Sequence, residues 1–176
     1  MPKVIVLFFG SEPAVVRAAE AAAAGAQMVR FTEVDLRSST ALAPSHKALE
    51  AAGSLREYHG IVLVSGSPDH ATMDGTMRQA GSMALRLDDV LSELAGAPNV
   101  ADMVLGIASD EPEALGRLAQ VGGITVAGAS PRALVGDPAD ERDLERARAT
   151  GFRVAKVTGW VRHGLGHEAA HHHAKV

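Results

Sequence analysis

No cysteine occurs in this chain, and aromatic residues make up only 3% of it. No apolar run approaches the roughly 18–20 residues that a membrane span requires. Each absence excludes something. Without thiols there are no disulfides, no thiolate metal ligands and no cysteine nucleophile, which fits a reducing compartment. With so few aromatics, the core of a chain that is 47% apolar must be built from Val, Ile, Leu, Met and many alanines. A net charge of −4 speaks against the clustered basic surface that nucleic acid demands. Met1-Pro2-Lys3 runs straight into an apolar stretch, without the basic, apolar and cleavable pattern of a secretory signal. No Gly-x-Gly-x-x-Gly follows an apolar run, and there is no Walker loop. A cytoplasmic protein with no nucleic-acid and no membrane partner is expected.

What the chain does contain is an alternation. Short apolar runs at residues 4–9, 28–36, 61–65, 103–109 and 123–127 are interleaved with helical patterns at 14–24, around 47–57, and at 72–94, 112–121 and 138–160. This is the pattern of a parallel sheet with helices on both faces. Such sheets take ligands beyond the carboxyl ends of their strands, so the loops at 10–13, 66–71 and 110–113 are where function is sought. One domain over residues 1–162 is expected, followed by a His-rich, flexible tail at 163–176.

Local signals refine the elements. The run Val4-Ile5-Val6-Leu7 is continuously apolar, as in a strand buried on both faces. The second run, taken as residues 27–36, alternates with charges and suits a half-exposed edge. Pro13 fits the first turn of the alanine-rich helix, and Gly25 reads as its C-cap. Asp137 and Pro138 read as N-cap and first residue of the last helix. Within that helix Glu145 and Arg148 form an opposite-charge pair three residues apart.

Several stretches resemble the WrbA-type NAD(P)H:quinone oxidoreductases of the flavodoxin-like superfamily. Lys3-Val-Ile-Val-Leu-Phe-Phe9 is one; the most specific is Tyr58-His-Gly-Ile-Val-Leu-Val-Ser-Gly-Ser-Pro68 with Thr72-Met-Asp-Gly-Thr-Met-Arg78. Residues 117–127 and 140–155 are similar to the family's later helix and strand and to its closing helix. The resemblance implies an α/β flavodoxin-like three-layer sandwich, a five-stranded parallel sheet of order 2-1-3-4-5, and an FMN site at the switch point between strands 1 and 3. Response regulators share that topology, but here Val64-Ser65-Gly66 offers no phosphoacceptor aspartate.

The strand-end pocket implied by the resemblance is formed by Gly10, Ser11, Gly66, Ser67, Pro68, Asp69, His70, Ser109 and Asp110. Its loops depart from the family in one direction. In Gly10-Ser11-Glu12-Pro13, Pro13 removes an N–H from the phosphate nest and Glu12 brings a carboxylate to the place of the anion. The same residues also make an ordinary helix start. Asp69 and His70 stand where the family places an arginine and an aromatic against the flavin ring. His70 suits a general acid or base near neutral pH, or is simply a solvated loop histidine. Ser109-Asp110-Glu111-Pro112-Glu113 replaces a longer Ser/Thr/Gly-rich loop, and equally reads as a helix start with Ser109 or Asp110 as cap. The family's flavin-side histidine falls near Gln120-Val121 and is absent.

In the tail, His163, His167 and His171 recur every four residues, a spacing that on a helix aligns imidazoles for a metal ion. Gly164 and Gly166 oppose a helix there, and no metal is assigned. The residues themselves commit to no cofactor; the resemblance implies FMN. Three readings follow. The first is a divergent WrbA-like protein that no longer holds FMN in the usual way, acting as a structural or interaction module and assembling as a dimer or tetramer through apolar helix faces. The second is an FMN-dependent NAD(P)H:quinone oxidoreductase with an altered flavin site. The third is a binder of a cationic or neutral ligand through Glu12, Asp69, Asp110 and Glu111.

Overall fold

The computed structural model describes residues 1–10, 12–38, 55, 57–66, 87–96, 98–109, 113–126 and 140–173. Five parallel strands make one sheet: β1 (Lys3–Phe9), β2 (Glu33–Ser38), β3 (Gly60–Ser65), β4 (Val104–Ser109) and β5 (Ile124–Val126), in the order β2-β1-β3-β4-β5. That is the expected flavodoxin-like order. The described helices are α1 (Pro13–Gln27), α2 (Leu87–Ala95), α3 (Ala114–Ala119) and α4 (Glu141–His173), with a 3-10 turn at Val100–Asp102.

The apolar runs are central for the reason their composition suggests. Side chains alternate across a strand, so a strand covered on both faces is apolar at every position. Val4 and Val6 point into one core with Val62, Val64, Val104 and the alanines of α1. Ile5 and Leu7 enter the other with Ile61, Leu63, Leu105, α2 and α3. No residue from Val4 to Leu7 exceeds 2% exposure. By contrast, β2 has only half-buried or exposed side chains, as an edge strand should.

Scarcity of aromatics is met by close approach rather than by bulk. A Cβ built on Gly25 would collide with the carbonyl of Arg148, and one on Gly151 with that of Ala22, so α1 and α4 touch backbone to backbone. Helix α4 lies equally tight on the sheet. A Cβ on Gly106 would sit 2.5 Å from Val154, and one on Gly60 2.5 Å from Thr158 Oγ1. Thr158, fully buried, turns its hydroxyl back to donate to the Val154 carbonyl at 2.7 Å.

Four expectations need correction. Gly25 is not a C-cap: α1 continues to Gln27, because this glycine is required by the neighbouring helix and not by a chain reversal. The second strand begins at Glu33; Met28 and Phe31, read as strand, belong to a turn in which both are exposed. Helix α4 starts at Glu141, and Asp140 caps it, its Oδ1 accepting the Arg142 N–H at 3.2 Å; Asp137 and Pro138 lie outside the described residues. The same helix does not end at Trp160 but runs to His173, through Gly164 and Gly166 and through most of the segment set apart as a tail. The Glu145–Arg148 ion pair forms as its spacing suggests.

Candidate functional site at the strand ends

The register brings Phe9, Ser65 and Ser109 into one row at the carboxyl edge of β1, β3 and β4. Ser65 and Ser109 are 3% and 2% exposed, and their hydroxyls are hydrogen-bonded to each other at 2.9 Å. Two polar groups deep at a strand end need partners when buried, and here each satisfies part of the other's requirement. Ser109 is therefore the last residue of β4, as the apolar run 103–109 suggests, and of the two alternative caps it is excluded while Asp110 lies outside the described residues. The following helix has Glu113 at its N-cap, without a side-chain capping bond. Ser65 was not singled out from the sequence. The signal available was that two apolar runs each close on a serine, and only pairing register makes them neighbours.

Gly10 leaves β1 with φ +118°, a conformation that side chains rarely adopt and that glycine takes at no steric cost. A Cβ placed there would run into Glu12 Oε2. The Glu12 carboxylate thus folds back over the turn between β1 and α1. Glu12 is the N-cap of α1, with extended backbone (φ −61°, ψ 134°), Pro13 follows it in the first turn, and the Glu12 side chain caps no backbone N–H. On the β3 side, Gly66 sits against α1: a Cβ there would lie 3.0 Å from Val15 Cγ2. Gly10 and Gly66 thus follow the paired ends of β1 and β3, and Ser109 ends β4 on the far side of β3. Ser11, Ser67, Pro68, Asp69, His70 and Asp110 lie outside the described residues, as does Glu111.

A helix start beside a glycine turn is ordinarily an anion site, because free N–H groups and the helix dipole converge there. This one fits an anionic phosphate poorly. Two like charges 4 Å apart repel by about 4 kcal/mol at an effective dielectric of 20, and by about 1 kcal/mol in bulk water. Glu12 is exposed, so the lower figure applies per charge, and a side-chain rotation relieves it. The N–H lost at Pro13 cannot be restored by rotation.

Among the described residues, no helix is long and apolar enough to cross a membrane, and no three His, Cys, Asp or Glu side chains are grouped to hold a metal ion.

No protein-family model matches the chain, and no curated protein matches it significantly. Solved structures do. A flavodoxin, WrbA-like protein from Agrobacterium tumefaciens superposes with a TM-score of 0.58 at 21% identity, covering 91% of this chain and 99% of that one. A diflavin flavoprotein from Nostoc sp. gives 0.62 at 22% identity, covering 95% and 99%. A flavone reductase gives 0.56 at 17% identity, covering 92% and 64%. At these identities the likeness establishes the flavodoxin-like fold.

Proposed function

We propose that this chain is a divergent WrbA-like protein of flavodoxin-like fold whose phosphate corner is closed to FMN, so that it acts as a structural or interaction module. The carrying observation is Pro13 in the first turn of α1, which removes an N–H from the phosphate corner; the exposed Glu12 carboxylate folded over Gly10 adds a smaller repulsion. The residues at that corner do not fit a dianionic phosphate, and no catalytic step is derived through a flavin. The competing reading is an FMN-dependent NAD(P)H:quinone oxidoreductase with an altered flavin site. It is favoured by the flavoprotein and flavone reductase names among the structural neighbours.

The visible spectrum of the purified protein and an FMN titration followed by flavin fluorescence separate the two. The expected result is a colourless protein with no saturable FMN binding below about 10 µM. Glu12→Ser, combined with Pro13→Thr, is expected to strengthen FMN binding by about tenfold or more. A yellow protein that keeps stoichiometric flavin through dialysis overturns the proposal.

A further inference from the structure

At the opposite end of the sheet lies an open groove of about 520 Å3, between the turn after α1 and the middle of α4. Its walls include Val29, Arg30, Phe31, Trp160, Arg162 and His163, and none of the described lining residues is acidic. In a chain of net charge −4 with four phenylalanines, one tyrosine and one tryptophan, this concentration of rings and cations is anomalous. Phe31 is 77% exposed and Trp160 63%, although large aromatics ordinarily contribute to cores. Phe31 also holds φ +62°, the left-handed region in which a bulky residue is a true outlier. Strain of that kind persists where the surrounding structure or a function requires it. Trp160 is oriented from its own helix, with Lys156 Nζ 5.1 Å from the ring centroid. Arg30 and Arg162 are exposed, and among the described residues neither has an ion-pair partner.

We infer that this groove is a binding site for a planar aromatic anion, an aryl carboxylate or sulfonate. Its volume is that of a small-molecule site. Two exposed rings offer stacking faces to a flat partner, and guanidinium groups match the planar geometry of a carboxylate or sulfonate. Among the described lining residues there is no carboxylate to set against the two guanidinium groups. The site is distinct from the strand-end corner, so the inference stands whether or not FMN binds there.

Trp160 is the sole tryptophan, so one indole N–H resonance reports on the groove. 2-Naphthoate is the probe, with neutral 2-naphthamide and non-planar cyclohexanecarboxylate as controls. The expected result is a saturable shift of that resonance with 2-naphthoate, and binding about tenfold weaker or more for each control. Arg162→Gln is expected to weaken 2-naphthoate by about fivefold or more and to remove its preference over the amide. Phe31→Gly separates binding from folding: it relieves the backbone strain, so the thermal midpoint should not fall, while 2-naphthoate binding weakens about tenfold. No saturable shift below about 1 mM, equal binding of the amide, or unchanged affinity in Phe31→Gly overturns the inference. So does a fall in the midpoint of that variant, which would make Phe31 a structural residue. A resonance that moves with protein concentration alone would place a second copy in the groove and also overturn it.

Discussion

The two ends of the sheet are built from opposite materials. At the carboxyl end, where this fold class takes its ligands, the described polar groups turn toward their neighbours. Ser65 and Ser109 bond to one another, and Glu12 folds over Gly10. At the amino end, the turn after α1 and the middle of α4 hold two exposed rings and the exposed Arg30 and Arg162 beside an open groove. Helices α1 and α4 run between these ends, so one packing contact supports both. The lesson is that conserving a scaffold does not conserve where its chemistry is exposed; a fold predicts where to look, and the side chains decide what is found.

The largest effect should come from breaking that shared support. Gly151→Ala replaces a helix-interior glycine with the best helix former, a gain of about 1 kcal/mol from propensity alone. The new methyl would collide with the Ala22 backbone carbonyl, which no rotamer can move aside. Overpacking costs about 1–3 kcal/mol and sometimes more, and contact with backbone belongs at the upper end. A net loss of about 2 kcal/mol or more is therefore expected in urea denaturation. Gly164→Ala on the same helix meets nothing within 4 Å among the described residues, and should instead be neutral or stabilise by up to about 1 kcal/mol. Equal responses of the two variants would mean that α1 and α4 are not held backbone to backbone.

These glycines also show what was legible in the sequence. The three central strands were readable, because a strand buried on both faces has no polar positions: Val4–Leu7, 61–64 and 104–108 carry their burial in their composition. The parallel order came from the resemblance and is met by the structure. Gly25 was misread because a glycine required for contact with another helix looks, in one dimension, like a glycine that ends its own helix. That error moved the next strand forward by several residues, since Met28, Val29 and Phe31 mimic the alternation of an edge strand. Of the candidate site, Gly10, Gly66 and Ser109 lie at the ends of β1, β3 and β4, and the other six residues lie outside the described residues. The Ser65–Ser109 pair depended on register, which spacing alone does not supply. The aromatic groove was not legible at all. Nothing local in Phe31 or Trp160 signals exposure, and their neighbourhood is created by tertiary packing.

A smaller effect separates the sheet's open edge from its interior. Tyr58, 5% exposed, donates its phenol hydrogen to Asp35 Oδ2, and Arg37 lies 3.5 Å from that carboxylate. Burial, then the hydrogen bond and charge of Asp35, push the Tyr58 phenol up to about 12 from 10. A raised folded-state value means that the stabilisation is complete below pH 10, where the phenol is neutral in both states. It is lost as pH rises from 10 through about 12. Two units correspond to at most about 3 kcal/mol. Urea midpoints measured across that window should fall more steeply for the native protein than for Tyr58→Phe. Parallel profiles would mean that this phenol does not hold the β2 edge.

The mildest change lies on the acid side, at the start of β1. His59 Nδ1 accepts the Lys3 N–H at 3.1 Å, and the His59 N–H donates to the Lys3 carbonyl at 2.9 Å. The ring is thereby fixed as the tautomer protonated on Nε2. Burial, then the positive charges of Arg162, the terminal amine and Lys3, hold its pKa below 6.5. The sign is opposite to that of Tyr58. The neutral imidazole is favoured on folding, so its contribution is complete above pH 6.5 and is lost as pH falls through the lower folded value. Protonation would also turn Nδ1 from acceptor to donor and break the Lys3 bond that starts β1. An anion in the groove should weaken the field of Arg162 and so raise the His59 pKa, whereas a ligand at the carboxyl end should leave it alone. Titrating the His59 ring by NMR with and without 2-naphthoate tests this directly, and an unmoved His59 would show that the groove and the start of the sheet are electrostatically separate.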